Sequence, residues 1–374
     1  VSELHLALIV GGVTLALSLA SPLIIKLLLV RLGIMDVPNE RSSHDRPVLR
    51  GLGLAVLVAM SLGYWLALNI DLALSRERPG LGGLVRAIAA GDTSVVMLSV
   101  LAGAVLLCGL LGFGEDLRGL SVPVRSVFLL LISAAASIGL IWIVRAGESA
   151  GGVPWQLGID TAELPLVWLV LLGGYGILFV SGYINVANFM DGLNGISGFH
   201  GVIAGLAFAA AGWLTGLSWL VAAGAVLAAG FAGFLPWNLS KPGGFLGDVG
   251  SYLLGGAVAI TSFAAWVSGV PLLAAIGPMV IYFGDVGVTL VKRVRAGHKW
   301  DEPHKEHAYQ RIQQLGYSHV QASAITAACT LLTSILGLAS CFTGLWGTLA
   351  LLVAGLGVVV FYLRLPKLLP IRTS

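Results

Sequence analysis

Charged residues are what this chain has least of. Of 374 residues, 21 are Lys or Arg and 18 are Asp or Glu, so 10% carry charge. Soluble chains carry roughly 25%. So little charge cannot cover a water-facing surface, which excludes a cytosolic enzyme, a secreted domain and a disordered chain. Cysteine is scarce as well. Cys108, Cys329 and Cys341 sit in apolar runs with neither metal-site spacing nor a pairing pattern, and read as small buried hydrophobes. Low-complexity tracts and internal repeats are missing. A net charge of +3 is too small to imply a nucleic-acid partner.

What the chain has in abundance is apolar length. Hydrophobic residues make up 57% and the mean hydropathy is +0.94. That composition belongs to a multi-pass, all-α membrane protein. The 51 glycines suit close helix packing in lipid. A spanning helix needs about 20 apolar residues, and eleven runs qualify. They are Leu4–Leu32, Gly51–Ile70, Thr93–Phe113, Val124–Val144, Leu164–Tyr183, Gly195–Leu214, Trp219–Pro236, Ser251–Val267, Pro271–Val291, Val320–Phe342 and Leu345–Leu363. The division between the sixth and seventh rests only on Thr215–Ser218. The first run lacks a basic n-region and is followed by Lys26 and Arg31. It is expected to be a retained helix with a periplasmic N-terminus.

With the first connection cytoplasmic, 17 Lys and Arg fall on that side and 4 outside. The positive-inside rule is met, and the C-terminus is expected to be cytoplasmic. Eight of the ten Trp fall in the outer half, leaving Trp237 and Trp300 on the basic side. Nearly all polar motifs share that basic side. They lie in five connections: 33–50, 114–125, 185–194, 237–250 and 292–319.

Four acids at helix ends stand out on this face: Glu115, Asp116, Asp191 and Asp248. Carboxylates at membrane depth are costly and default to function. Adjacent Glu115 and Asp116 should repel unless a cation or a proton intervenes. Oxygen donors suit Mg2+. The glycine-rich turn Gly243–Ser251 opens a helix, and its free N–H groups suit an anion. Such a turn is equally a plain helix entry. His304 and His307 lie three apart beside Lys305 and Arg311. Cationic or hydrogen-bonding contacts to a pyrophosphate fit them better than a zinc site, which lacks partners. His298 and His319 read as ordinary loop residues, and His200 as a polar residue inside a helix. Asp285, Thr289 and Lys292 share one helical face, and Asp285 either pairs with a basic residue at the site or satisfies a helix contact.

Taken in order, these motifs resemble the polyprenyl-phosphate N-acetylhexosamine-1-phosphate transferases, the MraY/WecA/WbpL-like glycosyltransferase family 4. The resemblance runs from about Asp36 to Arg311. It rests on Glu115-Asp116, where the family usually has Asp-Asp, and on Asn185, Asn188 and Asp191-Gly192. Asn194 stands where the family commonly has Asp. Asn238 followed by Phe245 and Asp248, then His304 and His307, complete it, without the three consecutive histidines of the peptidoglycan enzymes. The run Asn39–His44 with Arg50-Gly51 looks most like the O-antigen-initiating subgroup.

The resemblance implies a single transmembrane transferase domain over 1–374. Its reaction would join N-acetylhexosamine 1-phosphate from a UDP-sugar to undecaprenyl phosphate, releasing UMP. This would start a lipid-linked glycan such as O-antigen, in a bacterial cytoplasmic membrane. It implies Mg2+ (Mn2+ as a substitute) on Asp248, and Phe245 stacked on the uracil. Catalytic roles fall to Glu115, Asp116, Asp191, His304 and His307. Asn185, Asn188, Asn194, Asn238, Phe245, Arg50 and Arg118 would bind substrate, and relatives suggest a homodimer. Direct attack by the lipid phosphate and a covalent carboxylate intermediate are both open, with direct attack favoured. Two other classes are weighed: a secondary transporter and a non-catalytic scaffold. A transporter predicts midplane charges and repeats, and a scaffold leaves five ordered polar motifs unexplained.

Overall fold

The computed structural model describes residues 3–36, 48–74, 79–146, 164–240, 243–298 and 304–372. Outside them lie the Asn39–His44 run and, from the charge and Trp patterns, Arg41, Arg46, Arg76, Arg78, Trp155, Lys241, Lys299 and Trp300.

The first apolar run forms α1 (Glu3–Ala20) and α2 (Pro22–Leu32), bent by 44° at Ser21. Pro22 has no N–H to continue α1 but is well suited to open α2. A two-residue antiparallel ribbon follows, β1 (Met35–Asp36) with β2 (Val48–Leu49). Then come α3 (Gly53–Leu74), the short α4 (Leu81–Ala89), α5 (Thr93–Arg118), α6 (Val122–Ala146) and α7 (Leu166–Met190). Asp92 caps α5 by accepting the Val95 N–H at 3.2 Å. The hairpin of α8 (Ile196–Thr215) and α9 (Ser218–Leu239) turns at Gly216, whose φ is 72°. The expected division of that apolar stretch therefore holds.

The rest is α10 (Gly247–Val267), α11 (Leu272–Ile276), α12 (Val280–Arg295), α13 (Ala308–Gln314), α14 (His319–Ala339) and α15 (Leu345–Leu368). A 3-10 turn at Gly277–Met279 joins α11 to α12, and the pair reads as one span. Among the described residues, ten helices are long and apolar enough to cross a membrane, or eleven with the bent α1–α2 pair. The chain is an all-α polytopic membrane protein.

Helix α10 is the axis. It packs against α3, α5, α6, α7 and α8, and its residues from Val249 to Ala265 are buried. Helix α15 is at the rim, exposing Trp346, Val353, Leu356 and Phe361. In lipid such a surface needs no cover. His200 is inside the bundle, 2.8 Å from the Tyr183 hydroxyl and stacked on Tyr282, as a polar residue inside a helix should be.

Helices outrun apolar runs on the motif side. Helix α5 continues past Phe113 to carry Glu115 and Asp116, and α7 continues past Tyr183 to carry Asn185 and Asn188. Hydropathy falls where the side chains meet the site, but the backbone ladder continues.

Candidate active site

The site is organised around the N-terminus of α10. The strand leading into α3 pairs with the segment leading into α10. Phe245 N–H donates to Leu49 O (2.9 Å), Leu52 N–H to Phe245 O (3.0 Å) and Gly53 N–H to Leu246 O (2.8 Å). Glycine permits the approach. A Cβ on Gly53 would lie 2.4 Å from Gly250 Cα, and one on Gly112 would lie 2.1 Å from Asp248 O. Gly247 has φ 75°, and a Cβ there would meet Asp116 and Gly51 at 2.7 Å. Helices α3, α5 and α10 thus meet backbone to backbone under the site.

Asp116 is locked into this floor. Its side chain is fully enclosed. It accepts the Asp248 and Val249 N–H groups at 3.1 and 2.9 Å, and Arg50 Nε at 3.0 Å. It therefore satisfies two of the free donors of α10, where a carboxylate is electrostatically favoured. Asp248 is partly open, 19% exposed. Asn188 Nδ2 donates to its Oδ1 at 2.8 Å, and Arg50 Nη2 to its Oδ2 at 2.5 Å. The same Asn188 amide reaches Ser251 Oγ at 2.9 Å. Four connections, through Arg50, Asp116, Asn188 and Asp248, meet at one point.

Glu115 and Asp116 avoid each other by facing different partners. Glu115 is 3.6 Å from Arg125 of α6, and its Oε2 is enclosed without a hydrogen bond among the described residues. The expected repulsion is thereby divided between two cations.

Asp191 ends α7 and accepts a 2.6 Å bond from Ser197 Oγ. Withdrawal from water pushes its carboxyl up to about 7; the Ser197 bond opposes that, and nearby Asp248 adds to it. Asn238 ties two connections together. Its Oδ1 accepts Gly195 N–H at 2.5 Å, its Nδ2 donates to Gly244 O at 3.0 Å, and its own carbonyl accepts Asn194 Nδ2 at 2.7 Å. Asn185 bonds back along its own helix to Ser181 O at 2.8 Å. Phe245 is half-buried at the entry to α10, and Arg118 is exposed at the end of α5.

The histidines belong to a second assembly built on Asp285. This carboxylate, wholly buried in α12, accepts the Ala308 N–H at 2.9 and 3.0 Å and the Tyr362 hydroxyl at 2.8 Å. Thr289 Oγ1 and His307 Nδ1 are each 3.3 Å from Oδ1. Asp285 thus holds the start of α13. Arg293 pairs with Glu306 just before it. His304 stands 4.9 Å from the His307 ring, and partial burial, then His307 and Arg293, lower its basicity. Tyr309 bonds to Phe189 O at 3.0 Å, and its hydroxyl would lie 2.4 Å from a Cβ on Gly192. The histidine arm is therefore docked on the turn that carries Asp191.

Sequence reasoning did not place Tyr362 in the site, and Ser197 and Tyr309 fell within motifs without being given a role. Ser251 and Arg125 fell inside motif windows but were given no role. Tyr362 lies 77 positions from Asp285, and no local pattern marks it. Among the described residues, no three His, Cys, Asp or Glu gather to hold a metal ion alone. The donor chemistry still fits a hard cation. Mg2+ commonly takes one or two carboxylates and completes its shell with water and phosphate oxygens, and Asp248 is such a carboxylate at the open edge.

Comparison with known proteins gives the same picture. Glycosyl transferase family 4 matches residues 97–265, the stretch from α5 to α10. A decaprenyl-phosphate N-acetylglucosaminephosphotransferase of Mycobacterium tuberculosis is 30% identical over 320 residues, covering 79% of this chain and 72% of that protein. A probable undecaprenyl-phosphate N-acetylglucosaminyl 1-phosphate transferase of Bacillus subtilis is 26% identical, covering 79% and 74%. A phospho-N-acetylmuramoyl-pentapeptide-transferase of Chlamydia muridarum is 33% identical over 175 residues, covering 43% and 51%. With its helices, its ordered motifs and these relatives, the chain belongs to glycosyl transferase family 4, the polyprenyl-phosphate N-acetylhexosamine-phosphate transferases.

Proposed function

We propose that this protein transfers N-acetylhexosamine 1-phosphate from a UDP-sugar to undecaprenyl phosphate, releasing UMP. The observation that carries the reading is the meeting of Arg50, Asp116, Asn188 and Asp248 at the N-terminus of α10. A fork-shaped cation and an open carboxylate side by side are parts phosphoryl transfer needs.

In this reading an oxygen of the lipid phosphate attacks the β-phosphorus of the donor. The bond from that phosphorus to the bridging oxygen breaks, and UMP leaves with it. A phosphate monoester has a second pKa of about 6, so the nucleophile is already largely dianionic at neutral pH. Direct attack is favoured over a covalent intermediate, because Asp116 is shut in with its oxygens committed to α10 and Arg50. Asp116 acts by positioning α10. Asp248 would hold Mg2+, which when bound neutralises charge on the pyrophosphate. Asn188 orients Asp248. Arg50, with Arg118 at the rim, receives donor phosphate, and Phe245 offers the uracil a ring face. Asn185, Asn194 and Asn238 shape the walls by fixing the connections. Asp191 and Glu115 flank the lipid phosphate, and Asp191, poised near neutrality, takes any residual proton. His304 and His307 stabilise developing charge on the leaving group.

The site faces the cytoplasm of a bacterial inner membrane, with the N-terminus outside and the C-terminus inside. The Lys and Arg asymmetry of 17 to 4 supports this. The whole chain works as one domain, its site assembled from 33–50, 114–125, 185–194, 237–250 and 292–319. UDP-N-acetylglucosamine is the first donor to test, given what the similar proteins are called. The O-antigen reading of the Arg50-Gly51 connection makes N-acetylfucosamine, N-acetylquinovosamine and N-acetylgalactosamine the next. Purified protein with undecaprenyl phosphate, Mg2+ and this panel should release UMP, and Asp248→Asn should release far less. Release of UDP instead would mean ordinary glycosyl transfer and sink the proposal.

A further inference from the structure

The Asp116–Asp248 pair is neutralised by a side chain, and that side chain is built to leave. Arg50 makes one contact to each carboxylate, at 3.0 and 2.5 Å, yet its side chain is 39% exposed. Its main chain is fixed: Arg50 N–H donates to Ile34 O at 3.3 Å, and Gly51 packs on Leu29 and Ile34. Motion of the Arg50 side chain therefore leaves the main chain in place. The carboxylates are arranged for its departure. Without Arg50, Asp116 keeps two backbone N–H bonds and Asp248 keeps the Asn188 amide. Each carboxylate is part satisfied by fixed neutral donors, and Arg50 takes what is left over.

We propose that Arg50 is an exchangeable internal cation: it holds the Asp116–Asp248 pair in the resting protein, yields Asp248 Oδ2 to a divalent cation, and turns its freed guanidinium to the donor pyrophosphate. The proposal rests on the reading that Asp248 is the cation ligand. Electrostatics favours the exchange in both directions. Two carboxylates this close stay ionised together only with positive charge beside them, and a guanidinium released beside a pyrophosphate finds a bidentate partner. Filling and emptying of the site then proceed without leaving a bare pair of acids.

The test needs no turnover. Mn2+ binding to the purified detergent-solubilised protein is followed by electron paramagnetic resonance, and thermal stability is followed with and without Mg2+. Wild type, Arg50→Gln, Arg50→Lys and Asp248→Asn are compared. With the competing cation gone, Arg50→Gln should bind Mn2+ about tenfold more tightly. It should also melt lower than wild type in metal-free buffer and recover when Mg2+ is added. Arg50→Lys should lie between the two, and UDP-sugar affinity should fall in Arg50→Gln despite the tighter metal. Equal Mn2+ affinity in wild type and Arg50→Gln, with Asp248→Asn still weakening it, would overturn the exchange while keeping Asp248 as ligand. Mn2+ affinity untouched by Asp248→Asn would overturn both.

Discussion

Two carboxylate centres lie on the same side of the bundle, and they are satisfied in opposite ways. Asp285 receives a backbone N–H, a phenol, a threonine hydroxyl and an imidazole, all from fixed elements. Asp248 receives one amide and one partly exposed arginine and is open at its edge. The first is a closed hub whose work is to hold α13 in place. The second, in the function proposed for this protein, is held ready for a ligand. A buried acid in a membrane protein signals function in both cases, but only the pattern of its donors tells a joint from a site.

Substitutions at the two centres should separate them. The largest effect expected is on turnover. Asp248→Asn keeps shape and removes the charge, so UMP release should fall roughly a thousandfold with little change in melting temperature. An unaltered rate would place the open site elsewhere.

Asp285→Ala should do the reverse, leaving the Ala308 N–H and the Tyr362 hydroxyl buried without an acceptor. A loss of about 3 kcal/mol is expected, measured as a lower melting temperature in detergent. Turnover should fall only as far as the histidine arm loosens, and Asp285→Asn should restore part of both.

Next comes the floor beneath Asp248. A methyl on Gly112 collides with the backbone of α10, so Gly112→Ala should cost about 2 kcal/mol of overpacking. It should damage turnover as well, because the displaced element is the one that carries Asp248. Normal Mn2+ affinity in this variant would mean that the floor does not set the site.

A smaller effect is expected from pH. Asp191 has its carboxyl raised to about 7, above its unfolded value of about 4. The folded protein therefore binds a proton that the unfolded chain has released across that interval. The contribution to stability is complete below about pH 4 and is lost as pH rises through about 7. Turnover runs the other way if the carboxylate form works: it should decline below pH 7, and Asp191→Asn should flatten that limb. The smallest change expected is from Tyr309→Phe, which removes the bond to Phe189 O and should cost about 1 kcal/mol. Its sign of success is a raised KM with stability nearly intact.

Much of the scaffold was legible in the sequence, because lipid imposes a length and a polarity on every span. Each apolar run became a helix or a bent pair. What hydropathy could not show was where helices end. Glu115 and Asp116 read as a helix edge, and Asn185 and Asn188 as part of a connection, because apolarity stops before them, yet all four ride on α5 and α7. The amphipathic α4 escaped notice because its apolar positions Leu81, Leu84, Val85 and Ile88 are interrupted by Gly82, Gly83 and Arg86. At the site, the motifs told which residues gather but not how they pair. That Glu115 faces Arg125 while Asp116 faces α10 depends on the rotation of α5 against α6 and α10. Asp285 was read only as far as two alternatives, a basic partner at the site or a helix contact, and the Thr289 bond is a contact of the second kind. Its links to α13 and to Tyr362 are contacts between separate elements.

The backbone floor formed by Gly53, Gly112 and Gly247 also limits how the site can drift over generations. A side chain gained at any of the three would meet main-chain atoms within 2.7 Å. Descendants that changed their donor sugar would have to do so at the rim, where Arg118 and Phe245 stand, while inheriting the floor unaltered.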